Sequence, residues 1–275
     1  MKLGSIGANM KYSYSRVIHE ALGYPWELWS LDETEFRELL EKRDFDGASV
    51  TIPYKQLVMP YCDYLSPLAE EIGAVNVLYY DKEKRLCGSN TDYAGFLYAM
   101  DRAGIEIKGK KAVILGNGAT CKTIKKALSD RGAASLVVAS RKGAAGQPAE
   151  KDGISCGIVN YGELKEKHTD ADLIINASPV GMQPDTERKL VNLKDFPACS
   201  GVFDVIYNPP QSALIRQAIS LGIPASGGIP MLVAQATAAA ELLMDKPGYY
   251  EKENERLIEM LRKKVEESQP FFGFQ

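Results

Sequence analysis

The residues of this chain best suited to chemistry are a lysine and a carboxylate set ahead of a glycine turn. Lys55 closes the run Ser49-Val50-Thr51-Ile52-Pro53-Tyr54-Lys55, and Asp92 closes Asn90-Thr91-Asp92. The length of a short helix then separates Asp92 from Gly116-Asn117-Gly118. A lysine and a carboxylate can exchange a proton with a reacting group. A glycine turn between a strand and a helix suits a dinucleotide. Together they describe proton transfer beside a hydride carrier.

Hydroxyl and amide side chains recur in the same half of the chain and once near its end: Ser13, Ser15, Thr51, Asn76, Asn90 and Gln235. If residues 13–15 are extended, the two serine hydroxyls face the same way. Such a set suits a small polyol acid, whose many hydroxyls need partners in a site closed to water. Each residue also has a plain structural reading. Ser13 and Ser15 suit a turn, Asp92 a helix cap, Lys55 a solvated strand end, and Gln235 a bond to a core carbonyl.

In the nucleotide loop, Gly116 permits the tight turn and Gly118 lets the backbone approach a pyrophosphate at a helix N-terminus. Asn117 and Ala119 complete that loop. A Rossmann fingerprint has Gly or Ala five residues after the first glycine, where this chain has Cys121. The next strand ends at Ser140-Arg141-Lys142. An acidic residue there would read a ribose 2′-hydroxyl. Arg141, with Lys142 behind it, suits a 2′-phosphate, and its guanidinium can stack on adenine. The pattern favours NADP over NAD, against the alternatives of a purely structural turn and a solvated basic pair.

The elements that must position these groups are read from periodicity and end signals. Residues 2–6, 26–29, 47–52 and 75–80 read as strands, and residues 81–84 as a hairpin turn leading to 85–88. Residues 32–42 read as a helix with Asp32 as N-cap and Glu35 at the capping-box position. Thr91 or Asp92 can cap a helix running to about Ala103, where Gly104 stops it. The pattern then turns βαβ: strand 111–115, helix 120–130, strand 135–140. Residues 142–153, rich in Gly, Ala and Lys, read as a mobile loop. Residues 172–177 and 202–205 read as later parallel strands, and 231–244 and 251–264 as helices. The fold class is therefore α/β: a mixed α/β N-terminal domain, a Rossmann-like doubly wound dinucleotide domain, and a helical tail that sequence alone does not place. Boundaries fall near residues 103–110 and 226–228.

Composition bounds the class. The chain has 275 residues, 45% hydrophobic and 25% charged, with net charge -3. That balance suits an ordinary globular enzyme and gives no basic excess for nucleic acid or lipid. The apolar stretch 228–244 is interrupted by Gln235, Thr237 and Glu241, and so reads as a buried helix, not a membrane span. The N-terminus lacks a secretory pattern. Five scattered cysteines and two histidines argue against a disulfide framework or a zinc site, and for a metal-free cytoplasmic protein.

Taken in order, the motifs resemble the shikimate dehydrogenase family. They are Ser13-x-Ser15; Val50-Thr51-Ile52-Pro53-Tyr54-Lys55; Gly73-Ala74-Val75-Asn76; Gly88-x-Asn90-Thr91-Asp92-x-x-Gly95; and Gly116-x-Gly118-Ala119. Further along come Asn176-Ala177-Ser178-x-x-Gly181-Met182, Asp204-x-x-Tyr207-Asn208-Pro209 and Gly228-x-x-Met231-Leu232-Val233-x-Gln235. They cover nearly the whole chain.

The resemblance implies reversible NADPH-dependent reduction of 3-dehydroshikimate to shikimate, on the way to chorismate and the aromatic amino acids. It implies a catalytic pair, Lys55 and Asp92, acting as a proton relay. Substrate binding would fall to Ser13, Ser15, Thr51, Asn76, Tyr207 and Gln235. Cofactor binding would fall to Gly116, Asn117, Gly118, Ala119, Ser140, Arg141, Lys142, Val205 and Gly228. It further implies a substrate domain over residues 1–103 completed by C-terminal helices in 228–275, and an NADP-binding domain over 104–227. The active protein is expected to be a monomer or homodimer.

The chain departs from the family pattern at Tyr12, Arg16, Ser49 and Cys121. Those departures bear on substrate preference and cofactor affinity more than on fold. Competing readings are a quinate or quinate/shikimate dehydrogenase, a methylenetetrahydrofolate dehydrogenase-like enzyme, and a non-enzymatic NADP-binding sensor or inactive paralogue. The paired serines and Asn-Thr-Asp argue against the second. A sensor would need neither Lys55 nor Asp92.

Overall fold

The structure is a computed structural model that describes residues 1–10, 13–141, 143, 149–151 and 154–267. The chain divides into two compact units. The first comprises Met1–Gly95 and Leu232–Leu261, and the second Phe96–Met231 with the chain from Arg262 onward.

In chain order the elements are β1 (Leu3–Gly7), α1 (Tyr14–Ala21), β2 (Glu27–Ser30), α2 (Glu33–Lys42), β3 (Gly47–Val50), β4 (Tyr64–Leu65), α3 (Pro67–Ile72), β5 (Val77–Tyr80), β6 (Leu86–Ser89) and α4 (Asp92–Arg102). There follow β7 (Lys111–Leu115), α5 (Ala119–Asp130), β8 (Ser135–Ala139), β9 (Ala149–Lys151), β10 (Ile154–Val159) and α6 (Tyr161–Lys167). The last are β11 (Leu173–Asn176), β12 (Gly201–Asp204), α7 (Ala213–Ser220), β13 (Ala225–Ser226), α8 (Gly228–Leu243) and α9 (Asn254–Glu267).

The first unit is built on a six-stranded mixed sheet of order β2-β1-β3-β5-β6-β4. β1 runs parallel to β2 and β3, while β5 is antiparallel to β3 and β6. One core joins Ile6, Val50 and Leu78 of the sheet to Phe36 and Leu40 of α2, with Phe36 stacked on Tyr54. A second core joins Leu3, Tyr24 and Trp26 to Ala240 and Tyr250, so that α8 helps to close this unit. Gly47 shows how close the approach is: a Cβ there would lie 2.3 Å from a Leu243 methyl. The α2 capping box forms as expected, with Asp32 accepting from the Thr34 and Glu35 amides and the Glu35 side chain accepting from Asp32 N–H.

The second unit carries a seven-stranded sheet of order β13-β12-β11-β7-β8-β10-β9. All neighbours are parallel except the β9–β10 edge pair. Without that edge strand the order is the doubly wound one, and the direction in which successive strands are added reverses between β7 and β11. In such sheets ligands bind beyond the carboxyl ends of the strands at this switch point. The buried runs of β7, β11 and β12 explain why these strands read as continuous apolar segments.

Two expectations are corrected. Residues 13–15 are not extended: Ser13 is, but a helix begins at Tyr14 and buries Tyr14, Ile18 and His19. The alternation argument for Ser13 and Ser15 therefore fails. Within residues 142–153, read as a loop, β9 pairs antiparallel with β10 at the sheet edge. That pairing is local, between residues three to seven apart, and the Asp152-Gly153 that separates them in sequence was the available turn signal.

His19 generates the first prediction. It is fully buried and stacked on Trp26 at 3.6 Å between ring centres; its Nδ1 lies 2.6 Å from the Tyr24 hydroxyl. Burial pushes its pKa from 6.5 down to about 3. A depressed folded value means its contribution to stability is complete above about pH 6.5 and is lost as pH falls toward 3. Between pH 7 and pH 4 the native chain should lose about 3 kcal/mol relative to His19→Gln in urea unfolding. Parallel losses in the two proteins would contradict this reading.

Candidate functional site

Within the first unit, Lys55 and Asp92 form one buried ion pair. Lys55 Nζ lies 2.5 Å from Asp92 Oδ2, with side chains only 13% and 9% exposed. Lys55 is held by the sheet: its carbonyl accepts from Val75 N–H at 2.7 Å, and Val50 N–H donates to the Asn76 carbonyl. Asp92 opens α4, where the helix dipole favours a negative charge. Its Oδ1 accepts from Asn76 Nδ2 at 3.0 Å. A side-chain oxygen for the Tyr93 amide comes from Asn90, not from Asp92.

Asn76 is the hub. Its Nδ2 faces Thr91 Oγ1, Asp92 Oδ1 and Gln235 Oε1, while its Oδ1 accepts from Thr91 N–H at 2.6 Å. Gln235 Nε2 in turn donates to the Leu232 carbonyl. Four of the expected site residues, Lys55, Asn76, Asp92 and Gln235, are thus joined by hydrogen bonds across 159 residues of chain between Asn76 and Gln235. Thr91 belongs to the same cluster, although sequence reasoning gave it only a capping role. Its place inside Asn90-Thr91-Asp92 was the available signal.

Ser13, Ser15 and Thr51 are half-buried. Ser13 precedes α1 without a capping bond from its side chain. Thr51 follows β3, and a Cβ on Gly7 would lie 2.5 Å from its methyl, so only glycine lets the end of β1 approach it. Arg16 is exposed and paired with Glu20 one helical turn on, a surface ion pair. Ser49 is buried, and its hydroxyl has no partner among the described residues. Tyr12 lies outside the described residues.

In the second unit Gly116 leaves β7 with φ +107, and a Cβ there would press on Ser178 and Ala177. Gly118 is the extended N-cap of α5, and a Cβ there would meet nothing within 4 Å. The first amides of a twelve-residue helix thus open onto free space beside Asn117, Gly118 and Ala119, which fits an anionic group. Cys121 is fully buried and burial pushes its thiol up to about 12. It packs inward and leaves the outer face of the loop unchanged. Ser140 N–H donates to the Val159 carbonyl, and exposed Arg141 follows it. Arg141 acts electrostatically on the Tyr161 phenol, a neighbour that sequence reasoning did not single out. Lys142 lies outside the described residues. Val205 N–H donates to the Asn176 carbonyl; Gly228 packs so tightly on Val205 that its missing Cβ would overlap the Val205 carbonyl. Tyr207 is half-buried in the same unit, after β12.

Among the described residues, no group of three His, Cys, Asp or Glu side chains could hold a metal ion, and no helix is long and apolar enough to cross a membrane.

This geometry has counterparts among known proteins. A model of the shikimate dehydrogenase substrate binding domain matches residues 6–78. The chain is 34% identical over 248 residues to the shikimate dehydrogenase (NADP(+)) of Clostridium beijerinckii, covering 87% of this chain and 90% of that protein. It resembles the crystal structure of a chorismate mutase/shikimate 5-dehydrogenase fusion protein from Clostridium acetobutylicum, with TM-score 0.84, 30% identity and coverage of 96% and 98% of the two chains. It also resembles shikimate 5-dehydrogenase from Thermus thermophilus in complex with NADP(H) and shikimate, with TM-score 0.78, 28% identity and coverage of 95% and 99%.

The second unit contains a titrating group that yields a further prediction. Asp204, at the end of β12, is fully buried, and burial pushes its carboxyl from 3.8 up to about 6 against the opposing pull of Ser212, Ile206 and Asn176. A raised folded value means its stabilising contribution is complete below about pH 4 and is lost as pH rises through 6. The sign is opposite to that of His19. From pH 4 to pH 7 the native chain should lose about 2 kcal/mol relative to Asp204→Asn in urea unfolding. A difference between the two proteins that stays constant across this range would refute it.

Proposed function

The chain belongs to the shikimate dehydrogenase family, and from that premise we propose that it interconverts 3-dehydroshikimate and shikimate with NADP as hydride carrier. This is an oxidoreductase acting on a CH–OH group in the pathway to chorismate. The observation that carries the reading is the buried Lys55–Asp92 ion pair, oriented by Asn76 and bordered by Gln235.

NADPH, when bound, supplies the hydride that reduces the ketone carbon. The oxygen then needs a proton, and Lys55 Nζ gives it. Asp92 Oδ2 holds the lysine in place and shares its proton. In the reverse direction the Lys55 amine takes the proton from the substrate hydroxyl. Asn76 occupies Asp92 Oδ1 and so aims Oδ2 at Lys55. Little reorganisation is then needed at the moment of transfer, which is where preorganised polar groups lower a barrier. Ser13, Ser15, Thr51, Asn76, Tyr207 and Gln235 bind the hydroxyls and carboxylate of the substrate. The half-buried hydroxyls of the first three and the unshared amide capacity of Gln235 support this assignment.

NADP is held by Gly116, Asn117, Gly118 and Ala119 at the N-terminus of α5, by Val205 and Gly228 near the strand ends, and by Ser140, Arg141 and Lys142, where the two cations read the 2′-phosphate. The open space over Gly118 and the exposed Arg141 support that division of labour. The substrate domain spans residues 1–103 with helices from 228–275, and the cofactor domain residues 104–227. The enzyme works in the cytoplasm as a monomer or homodimer. Five free cysteines suit a reducing compartment.

Two variants test the assignment. Lys55→Ala should lower kcat roughly 10²–10⁴-fold while shikimate binding stays measurable by calorimetry. Native-like turnover would remove Lys55 from the chemistry. Arg141→Ala should raise KM for NADP at least about tenfold more than KM for NAD, the loss of one charge-assisted contact. Equal losses for both cofactors would mean that Arg141 does not read the 2′-phosphate.

A further inference from the structure

Two parallel strands of the second unit end side by side in polar residues, Asn176 on β11 and Asp204 on β12. Asn176 Nδ2 donates to Asp204 Oδ1 at 2.9 Å and to the Val180 carbonyl at 3.1 Å. Asn176 Oδ1 accepts from both the backbone N–H and the hydroxyl of Ser178. Asp204 Oδ1 also accepts from Ile206 N–H, and Oδ2 accepts from the Ser212 hydroxyl at 2.5 Å. Ser212 caps α7 through the Ile215 amide.

The segments tied together here carry the glycines of the nucleotide loop region. Ser178 and Ala177 are the residues against which Gly116 packs. The Ile206 carbonyl accepts from Gly228 N–H at 2.8 Å, and a Cβ on Gly228 would overlap the Val205 carbonyl. One carboxylate therefore reaches the turn after β7 through Asn176 and Ser178, and the start of α8 through Ile206. Its burial is costly, as the upward push on its pKa shows. An apolar residue would pack this strand end at lower cost, but could not fix the rotamer of Asn176.

We propose that Asp204 is a positioning residue for the cofactor: by orienting Asn176 and Ser178 it fixes the surface against which the Gly116 turn rests, and by holding Ile206 it fixes the Val205–Gly228 contact. The proposal rests on the NADP reading given above. Asp204 itself touches neither cofactor nor substrate. Most of the groups it orders lie with the Gly116 turn in the second unit, whereas the Lys55–Asp92–Asn76 cluster lies in the first.

The test is NADP titration by calorimetry together with steady-state kinetics in both substrates. Asp204→Ala removes every acceptor and should weaken NADP binding about tenfold or more, the worth of one or two buried hydrogen bonds. Asp204→Asn keeps an acceptor for Asn176 and Ile206 and should stay within about threefold of the native affinity. Ser178→Ala, which leaves Asp204 intact, should weaken NADP binding about threefold to tenfold. At saturating NADP, Asp204→Ala and Ser178→Ala should each change KM for shikimate by less than they weaken NADP binding. Native NADP affinity in Asp204→Ala would overturn the proposal, as would equal losses for NADP and shikimate. If Asp204→Ala does not fold, native affinity in Ser178→Ala overturns it. Failure of the native chain itself to bind NADP would overturn the functional reading and this proposal with it.

Discussion

The site depends on a single constraint: two opposite charges, Lys55 and Asp92, are held almost out of water and must satisfy each other. Removing either partner of such a pair strands the other, at a cost of about 3–5 kcal/mol. The residues around the pair read as answers to that constraint. Asn76 takes the second oxygen of the carboxylate. The Val75 amide fixes the lysine backbone, and the first turn of α4 presents its positive end. Gln235 arrives from a helix far along the chain to complete the amide cluster. A pair this tightly specified is dear to build for stability alone, which is why it carries a chemical reading.

The second unit solves a different problem with the same means. Its parallel strands bury apolar runs on both faces and leave their chemistry to the residues at their carboxyl ends. Gly116, Ser140, Asn176 and Asp204 all lie at such ends. At the switch point between β7 and β11 the loops meet closely, since Gly116 turns with φ +107 and a Cβ there would press on Ser178 and Ala177. The buried carboxylate of Asp204 then substitutes for the packing that larger side chains would give.

Much of this was legible in the sequence because it is local. The capping box at Asp32 and Glu35, the strand and helix around Gly116, and the stop at Gly104 are all set by residues within a few positions of each other. Lys55 and Asp92 were legible as candidates through motif order, although each alone had a bland reading. The rest divides into local signals passed over and long-range contacts. Tyr14 and Ile18 stand four apart, the spacing of one helix face, and the extended reading of Ser13–Ser15 passed over it. Asp152-Gly153, between the paired residues of β9 and β10, is likewise a local turn signal, and the Asn90 contact to the Tyr93 amide is a local cap. The hub role of Asn76 follows from which strands adjoin and from Gln235 far along the chain, and only the fold supplies that. Cys121 looked like damage to a fingerprint, but it points into the core.

That the chain oxidises shikimate with NADP is tested most directly by one crossed assay. Purified native protein is given shikimate or quinate with NADP or NAD, and reduced cofactor formation yields kcat/KM for the four combinations. Shikimate with NADP should give the highest value, with losses on changing either the acid or the cofactor. Turnover highest with quinate or with NAD, or no turnover in any combination, would contradict it.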